Sequence, residues 1–343
     1  MRRGRRHLAP GHGGQVIRVI KDEAGPGLAG PPAALAQAVR AVGLAVLMPG
    51  AVLIAVPGVA QALNTGAPGD TVKLVFIHHS TGQNWLEDWH GQLGEALRDA
   101  NYFVSDTNYG WGPDSVGDLT DIGQWWIWFR SESRDDILGA LYNNSEQNSE
   151  FSRRDSDPGG ENQIIMFKSC FPNSQLGGSP DQAPTTGDNP LRWEDAWSEH
   201  MTVGNAKGIY NDILEYFAGR QDKLFIVITA PPLSGAETDG SHAANARAFN
   251  NWLVNDWLRD YPHRNVAVFD FYNVLTSPDN HHWVQGNEVQ HIVASGQNTS
   301  AYASDEWDSH PNPEGDLKAT SEYIPLLNVY YHCWRGSGDC PPR

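Results

Sequence analysis

A serine in the first third of the chain and a histidine near its end have the chemistry of a nucleophile and a base. Ser80 closes the apolar run of residues 73–82 (KLVFIHHSTG), and His310 stands in Asp308-Ser309-His310-Pro311-Asn312. A serine hydroxyl attacks a substrate only when a neighbouring base takes its proton, so the pair has meaning only if the fold brings both to one place. Leu74, Val75, Phe76 and Ile77 form the short unbroken apolar run of a parallel strand covered on both faces. Thr81 and Gly82 follow Ser80, and then Leu86, Trp89, Leu93 and Leu97 recur at helical spacing, which predicts strand, tight turn and one helix. Ser80 is thereby expected at a strand's carboxyl end. In open α/β sheets ligands collect there, and a helix N-terminus favours developing negative charge. The other role open to Ser80 or Thr81 is to cap that helix, and His310 can equally cap or pack at the last helix.

The elements that must position this pair alternate along the chain. Residues 102–105 (YFVS) predict a second strand that runs into Asn108-Tyr109-Gly110-Trp111-Gly112, where glycines just past a strand let backbone approach a ligand or make an ordinary turn. Residues 113–162 break the alternation as an insertion holding Trp125, Trp126, Trp128 and Phe129; such a run is more often core, and if exposed it is a stacking platform for sugar rings. Asp155, Asp157 and Glu161 match no complete calcium loop and read as a solvated turn. Residues 163–167 (QIIMF) predict a third strand, ending in the polar cluster Lys168-Ser169-Cys170-Phe171-Pro172-Asn173-Ser174. Helical spacing at Ile209, Ile213, Leu214 and Phe217 precedes a fourth strand at 224–228. Ala248, Phe249, Trp252, Leu253 and Trp257 precede a fifth at 266–271. A long loop, 277–309, delivers Asp305, Asp308 and His310 to a last helix over 314–330. This alternation predicts the α/β class: a three-layer sandwich around a parallel sheet of about five strands.

With 343 residues, 40% of them hydrophobic, the chain can bury a full core, and one domain with insertions over 63–343 is the expectation. The first 62 residues read differently. Arg2, Arg3, Arg5 and Arg6 lead through a Gly/Pro/Ala-rich region to an apolar stretch from 41 to 60, closed by Ala60-Gln61-Ala62. That is the layout of a secretory signal, with cleavage expected after Ala62 and a start codon set too far upstream; an uncleaved anchor is the alternative. Loss of this segment removes seven Lys/Arg and two Asp/Glu and takes the formal charge from −17 to −22. Such a surface repels phosphate backbones, so nucleic acid is not an expected partner, nor is stable membrane association after cleavage. Cys333 and Cys340 suit a small terminal disulfide in an oxidising compartment. Cys170 is then left over. No zinc-type cysteine cluster is present, and neither metal nor cofactor is expected. His78 and His79 lack a third ligand at motif spacing and read as pocket-shaping residues.

Strand-Ser80 at the front and Asp308-x-His310-Pro311-Asn312 before the last helix together resemble the SGNH (GDSL-like) hydrolase family over most of residues 73–331. Of the family's Gly-Asp-Ser block, the positions match His78, His79 and Ser80, and only the serine is kept. The second-block glycine maps onto Gly110 or Gly112, and the third-block asparagine onto Asn173 within KSCFPNS. The family's Asp-x-x-His becomes Asp-x-His, with Trp307 where the aspartate usually stands. The resemblance implies a flavodoxin-like fold and a serine esterase, lipase or acyltransferase. It implies Ser80 as nucleophile, His310 as base, and Asp308 as the carboxylate that orients the ring, with Asp305 behind it. The oxyanion is expected at the backbone N–H of Ser80, that of Gly110 or Gly112, and the Asn173 amide. His78, His79, Lys168, Ser169, Cys170, Trp111 and Asp305 are candidates to line the pocket.

Secretion, the tryptophan-rich insertion and the family's habit point to acetyl or other short acyl esters of small molecules or polysaccharides. A greasier cleft would make a lipase or thioesterase, a dry one an acyltransferase. A sheet without catalysis, kept as a glycan-binding module, is the reading from another class.

Overall fold

A computed structural model describes residues 62–343; the expected leader lies, save for Ala62, outside them. Within the described part the chain alternates as anticipated. Strand β1 (Val72–Ile77) is followed by helices α1 (Ser80–Leu86) and α2 (Leu93–Asp99), then β2 (Tyr102–Thr107), α3 (Trp125–Arg130), α4 (Arg134–Tyr142) and β3 (Ile164–Lys168). Next come α5 (Val203–Ala218), β4 (Leu224–Ile228), α6 (Gly240–Asn255), β5 (Val266–Phe269) and the single turn α7 (Phe271–Val274). Two hairpins, β6 (His281–Gln285) with β7 (Glu288–Ile292) and β8 (Ala303–Asp305) with β9 (Asp308–Pro311), lead to α8 (Pro313–Arg335).

The five long-range strands pair in parallel in the order β2-β1-β3-β4-β5, the flavodoxin-like order of a doubly wound sheet. Alternate side chains feed two cores, as the two-residue period of a strand requires. Val75, Ile77, Ile165, Phe167, Phe225 and Val227 pack under α3 to α6. Leu74, Phe76, Ile164, Met166, Ile226 and Phe269 pack under α1, α2, α7 and α8. The result is a three-layer α/β/α sandwich whose strands all end at one edge, with Ser80 three positions past β1.

Three local expectations need correction. The single helix after Ser80 is two: Gln92 adopts a left-handed backbone with φ 55°, and Gly91 passes so close to Trp85 that a Cβ there would lie 2.5 Å from its carbonyl oxygen. Trp89, counted on the apolar stripe, is 71% exposed in the connection. The expected loop 277–309 holds the first antiparallel hairpin and most of the second, whose β9 runs on to Pro311. Gly286-Asn287 is the two-residue turn that joins the first, and its polar, half-exposed strands carry no hydrophobic alternation to announce them. The WWIWF run is core: Trp125, Trp128 and Phe129 are fully buried, so the segment is no sugar platform. Cys333 and Cys340 form the terminal disulfide.

The passage of α1 over the end of β1 is unusually close. A Cβ on Gly82 would lie 2.3 Å from His78 Cβ and 2.7 Å from its Cγ, inside any tolerable contact, while a Cβ on Gly69 would meet nothing within 4 Å. Gly82→Ala is therefore expected to lower stability by about 2 kcal/mol through overpacking, with Gly69→Ala near neutral, measured as shifts of the urea unfolding midpoint.

Candidate active site

Two short elements present the candidate chemistry. Ser80 is the first residue of α1; the preceding cap position is His79, whose side chain makes no capping bond, so neither Ser80 nor Thr81 serves as the cap. On the opposite side, Asn312 caps α8 by accepting from the Gly315 N–H at 3.0 Å, with Pro313 in the first turn. This fixes where the extended β9 ends. Along an extended strand, residues two apart share a face, so Asp308 and His310 point together while Ser309 points away. The Ser309 hydroxyl donates to Glu237 and accepts from the Ser234 N–H at 2.8 Å, which ties β9 to the segment after β4.

The geometry that results is linear. Asp308 Oδ1 accepts from His310 Nδ1 at 2.5 Å and from the His310 main-chain N–H at 3.0 Å. His310 Nε2 accepts from the Ser80 hydroxyl at 2.9 Å. Partial burial raises the Asp308 carboxyl, but the two bonds from His310 outweigh it and hold the group below its ordinary range. Phe171 meets the imidazole edge-on with centroids 4.9 Å apart. The spacing that departs from the family's pattern thus still delivers a carboxylate to the ring. Asp305 does not compete for it, since it accepts from the Trp307 N–H at 2.7 Å in the β8–β9 turn.

The floor of the site is polar and buried. Cys170 Sγ lies 3.6 Å from Ser80 Oγ and 3.5 Å from Thr81 Oγ1. Lys168, fully enclosed, donates to the Thr81 hydroxyl and to the Ser169 carbonyl. Burial pushes its ammonium down to about 8, against the pull of Cys170 and Asp316. Asp316, in the first turn of α8, is pushed up to about 6 by burial despite His90 at 3.0 Å. Beneath Ser80, the His78 ring is wholly buried, with its nitrogens 2.9 Å from the His79 carbonyl and 3.1 Å from Asp106 Oδ2. Burial lowers His79. Its neutral ring donates from Nε2 to the Gly117 carbonyl at 2.6 Å and accepts at Nδ1 from the Thr120 hydroxyl at 3.0 Å.

Several expected pocket and oxyanion residues are committed elsewhere. The Gly110 N–H donates to Asp118 Oδ1 at 2.8 Å. The Asn173 amide donates to Asp121 Oδ1 at 2.6 Å and to the Cys170 carbonyl at 3.2 Å, and its oxygen accepts from the Ile122 N–H. Asn173 is therefore a buried brace for the loop before α3, with no amide hydrogen left for an oxyanion. Gly112, with φ 81°, opens the turn over Pro113–Asp118. Trp111 stacks on Trp128 in the core with planes 6° apart and, with Tyr109, Gly110 and Gly112, lines an open cavity on the side of Asn143–Asn148; the Ser169 hydroxyl accepts from Trp125 Nε1 at 2.9 Å. Two residues absent from the sequence-based set stand at the site, Phe171 and Tyr109. The Tyr109 ring stacks on His79 with centroids 3.9 Å apart. No spacing rule points to either, because each is brought in by a partner distant in sequence. Among the described residues no three His, Cys, Asp or Glu side chains converge as metal ligands.

No protein-family model matches the chain, and no curated protein matches it. Among solved structures it is similar to an acetyl xylan esterase from the rumen bacterium Butyrivibrio proteoclasticus, at 13% identity over 78% of this chain and 66% of that one, with a TM-score of 0.32. It is also similar to a family two carbohydrate esterase from Cellvibrio japonicus, at 11% identity over 78% and 64% with a TM-score of 0.32. A third is a carbohydrate esterase described as having divergent catalytic and non-catalytic binding functions in its active site, at 14% identity over 77% and 68% with a TM-score of 0.30. The chain spans about two thirds of the length of each of these three. The relation is a distant one.

The depressed Lys168 has a consequence for stability. Between about pH 8 and the ordinary lysine value of 10.5, the unfolded chain retains a proton that the folded chain has released, so this group makes stability rise with pH across that window. Lys168→Met is expected to remove the rise. Unfolding free energies of the two proteins, measured at pH 8 and pH 10, should diverge in favour of the wild type; a constant difference would count against a depressed lysine.

Proposed function

We propose that this protein is a serine ester hydrolase of the SGNH type that removes acetyl or other short acyl groups. The observation that carries the reading is the linear arrangement Asp308 Oδ1, His310 and Ser80 Oγ, with bonds of 2.5 and 2.9 Å at the carboxyl edge of a parallel sheet. Ser80 Oγ attacks the ester carbonyl while its proton passes to His310 Nε2. Asp308 holds the ring with Nδ1–H toward itself and stabilises the imidazolium. Collapse of the tetrahedral intermediate expels the alcohol, which takes the proton from His310. Water then attacks the Ser80 ester by the same route, with His310 again as base, and the acid leaves.

A carbohydrate alcohol is the substrate this reading favours. Its support is the exposed aromatic surface adjoining the candidate residues: Trp307, 68% exposed, directly precedes Asp308, and the exposed Tyr109 stacks on His79, the residue before Ser80. Aromatic faces suit the apolar faces of sugar rings. Secretion belongs to the same proposal, and the Cys333–Cys340 disulfide supports an oxidising compartment.

The test is hydrolysis of p-nitrophenyl acetate and longer-chain esters by the full chain beside Ser80→Ala, His310→Ala and Asp308→Asn. The first two are expected to lose on the order of 10³-fold or more in kcat, and Asp308→Asn a comparable amount through the wrong imidazole tautomer, with circular dichroism unchanged. A preference for acetyl over longer chains separates a deacetylase from a lipase. A wild type that neither hydrolyses these esters nor reacts at Ser80 with a fluorophosphonate would overturn the proposal.

A further inference from the structure

A cavity of about 220 Å³ lies between the end of α6, the edge strand β5, the β6–β7 hairpin, α8 and the last residues of the chain. Leu258, Val268, Val289 and Tyr330 make its walls apolar. His282, only 3% exposed, is part of the same wall. Its Nδ1 accepts from the Asp270 N–H at 3.0 Å, and burial pushes the ring down to about 3. The imidazole is therefore neutral with its proton on Nε2, and among the described residues that N–H meets no acceptor. A buried donor without an acceptor is unfavourable, and this one belongs to a cavity whose volume admits a ligand.

The charge around the cavity has the sign that an acidic ligand needs. In a chain of formal charge −17, Arg259, Arg264 and Arg343 all border it. Arg259 is paired with Asp256. Arg343 donates to the main-chain carbonyls of Tyr261 at 2.6 Å and Val266 at 3.3 Å, acceptors that hold the guanidinium in place without neutralising it. The exposed Arg264 forms no ion pair or hydrogen bond among the described residues. Asp270, behind His291, is already engaged by the His291 Nε2 and by the Asn273 amide, each at 2.5 Å.

We propose that this cavity binds a small monocarboxylate with an aliphatic body, its carboxylate accepting from His282 Nε2–H and facing Arg264 and Arg343 while its chain lies along the apolar walls. A charged acceptor strengthens the hydrogen bond from the imidazole. The volume lies below the roughly 300–1,000 Å³ of drug-sized sites, which confines the class to small acids. An inorganic phosphate or sulfate would suit the arginines and waste the apolar walls. The site is independent of the ester-hydrolase reading. Bound acid joins the hairpin and the last residues to β5, so occupancy is expected to stabilise the fold by mass action.

Sodium hexanoate is the probe, with hexanamide as its uncharged counterpart and acetate as the acid without the chain. Each is titrated into the full-length chain by isothermal calorimetry, and the thermal unfolding midpoint is followed in parallel. Hexanoate is expected to bind saturably with a Kd on the order of 1 mM or tighter and to raise the midpoint, while hexanamide and acetate bind at least about tenfold more weakly. Arg264→Gln, a change at an exposed position, should weaken hexanoate about threefold. His282→Asn keeps an acceptor for the Asp270 N–H, removes Nε2–H, and should weaken it about tenfold. Val289→Trp, at a half-exposed position, fills the cavity and should abolish binding. Absence of saturable binding, equal affinity for hexanamide, or an affinity that Arg264→Gln or Val289→Trp leaves unchanged overturns the proposal.

Discussion

The position of Ser80 depends on one packing contact, the absence of a side chain at Gly82 where α1 crosses the His78 ring. His78 occupies a place that is usually glycine in the family the sequence resembles. Its bulk is accommodated by burying the ring entirely and anchoring it to Asp106 on the neighbouring strand and to the carbonyl of His79. The helix can follow only because residue 82 yields the space. Because the sheet is parallel, that crossing point lies at the same edge as the ends of β3 and β4, and the remaining site residues are placed relative to it. Lys168 reaches Thr81 from below and Cys170 lies beside Ser80. From the far end of the chain, β9 brings His310 across the gap.

How legible this was in the sequence differs from element to element for physical reasons. The five core strands are apolar on both faces, so their runs were visible without any pattern beyond hydrophobicity, and the order of strands and helices followed. The β6–β7 hairpin was invisible because its side chains are half exposed and polar, leaving Gly286-Asn287 as the sole signal. The residues Ser80, His310 and Asp308 could be picked out by type and chain position. The Asp308 to His310 interval is one residue shorter than the family's, and it is the natural interval for two side chains that share a face of an extended strand. The residues expected to bind the oxyanion could not be judged from the chain alone. Whether Asn173 offers its amide to a ligand or spends it on Asp121 depends on a carboxylate 52 positions away. Tyr109, likewise, is defined by its stack on a histidine 30 residues earlier.

Behind the site lies an enclosed set of ionisable groups, Lys168, Asp316 and His90, joined to it through Thr81 and the first turn of α8. Enclosing charge in low-dielectric surroundings is unfavourable unless partners compensate. The opposing displacements of Lys168 and Asp316, one downward and one upward, both follow from burial as their leading cause. Clustering of displaced groups beneath a candidate nucleophile is the pattern that active sites often present.

Ser80 and His310 are 230 positions apart, and both the imidazole and its carboxylate reside on one four-residue strand immediately ahead of the final helix. During synthesis from the amino end, β1 to β5 emerge before β9, which carries the histidine bonded to Ser80. Joining Ser80 to His310 closes a stretch 230 positions long, a contact of large sequence separation and correspondingly large closure entropy. On the proposed esterase reading the competence of Ser80 is coupled to β9: a nascent or proteolytically shortened polypeptide lacking that strand carries the hydroxyl but has neither His310 nor Asp308. On that reading chemical reactivity is a property of the finished molecule, and its appearance a clock for the docking of the last strand and helix.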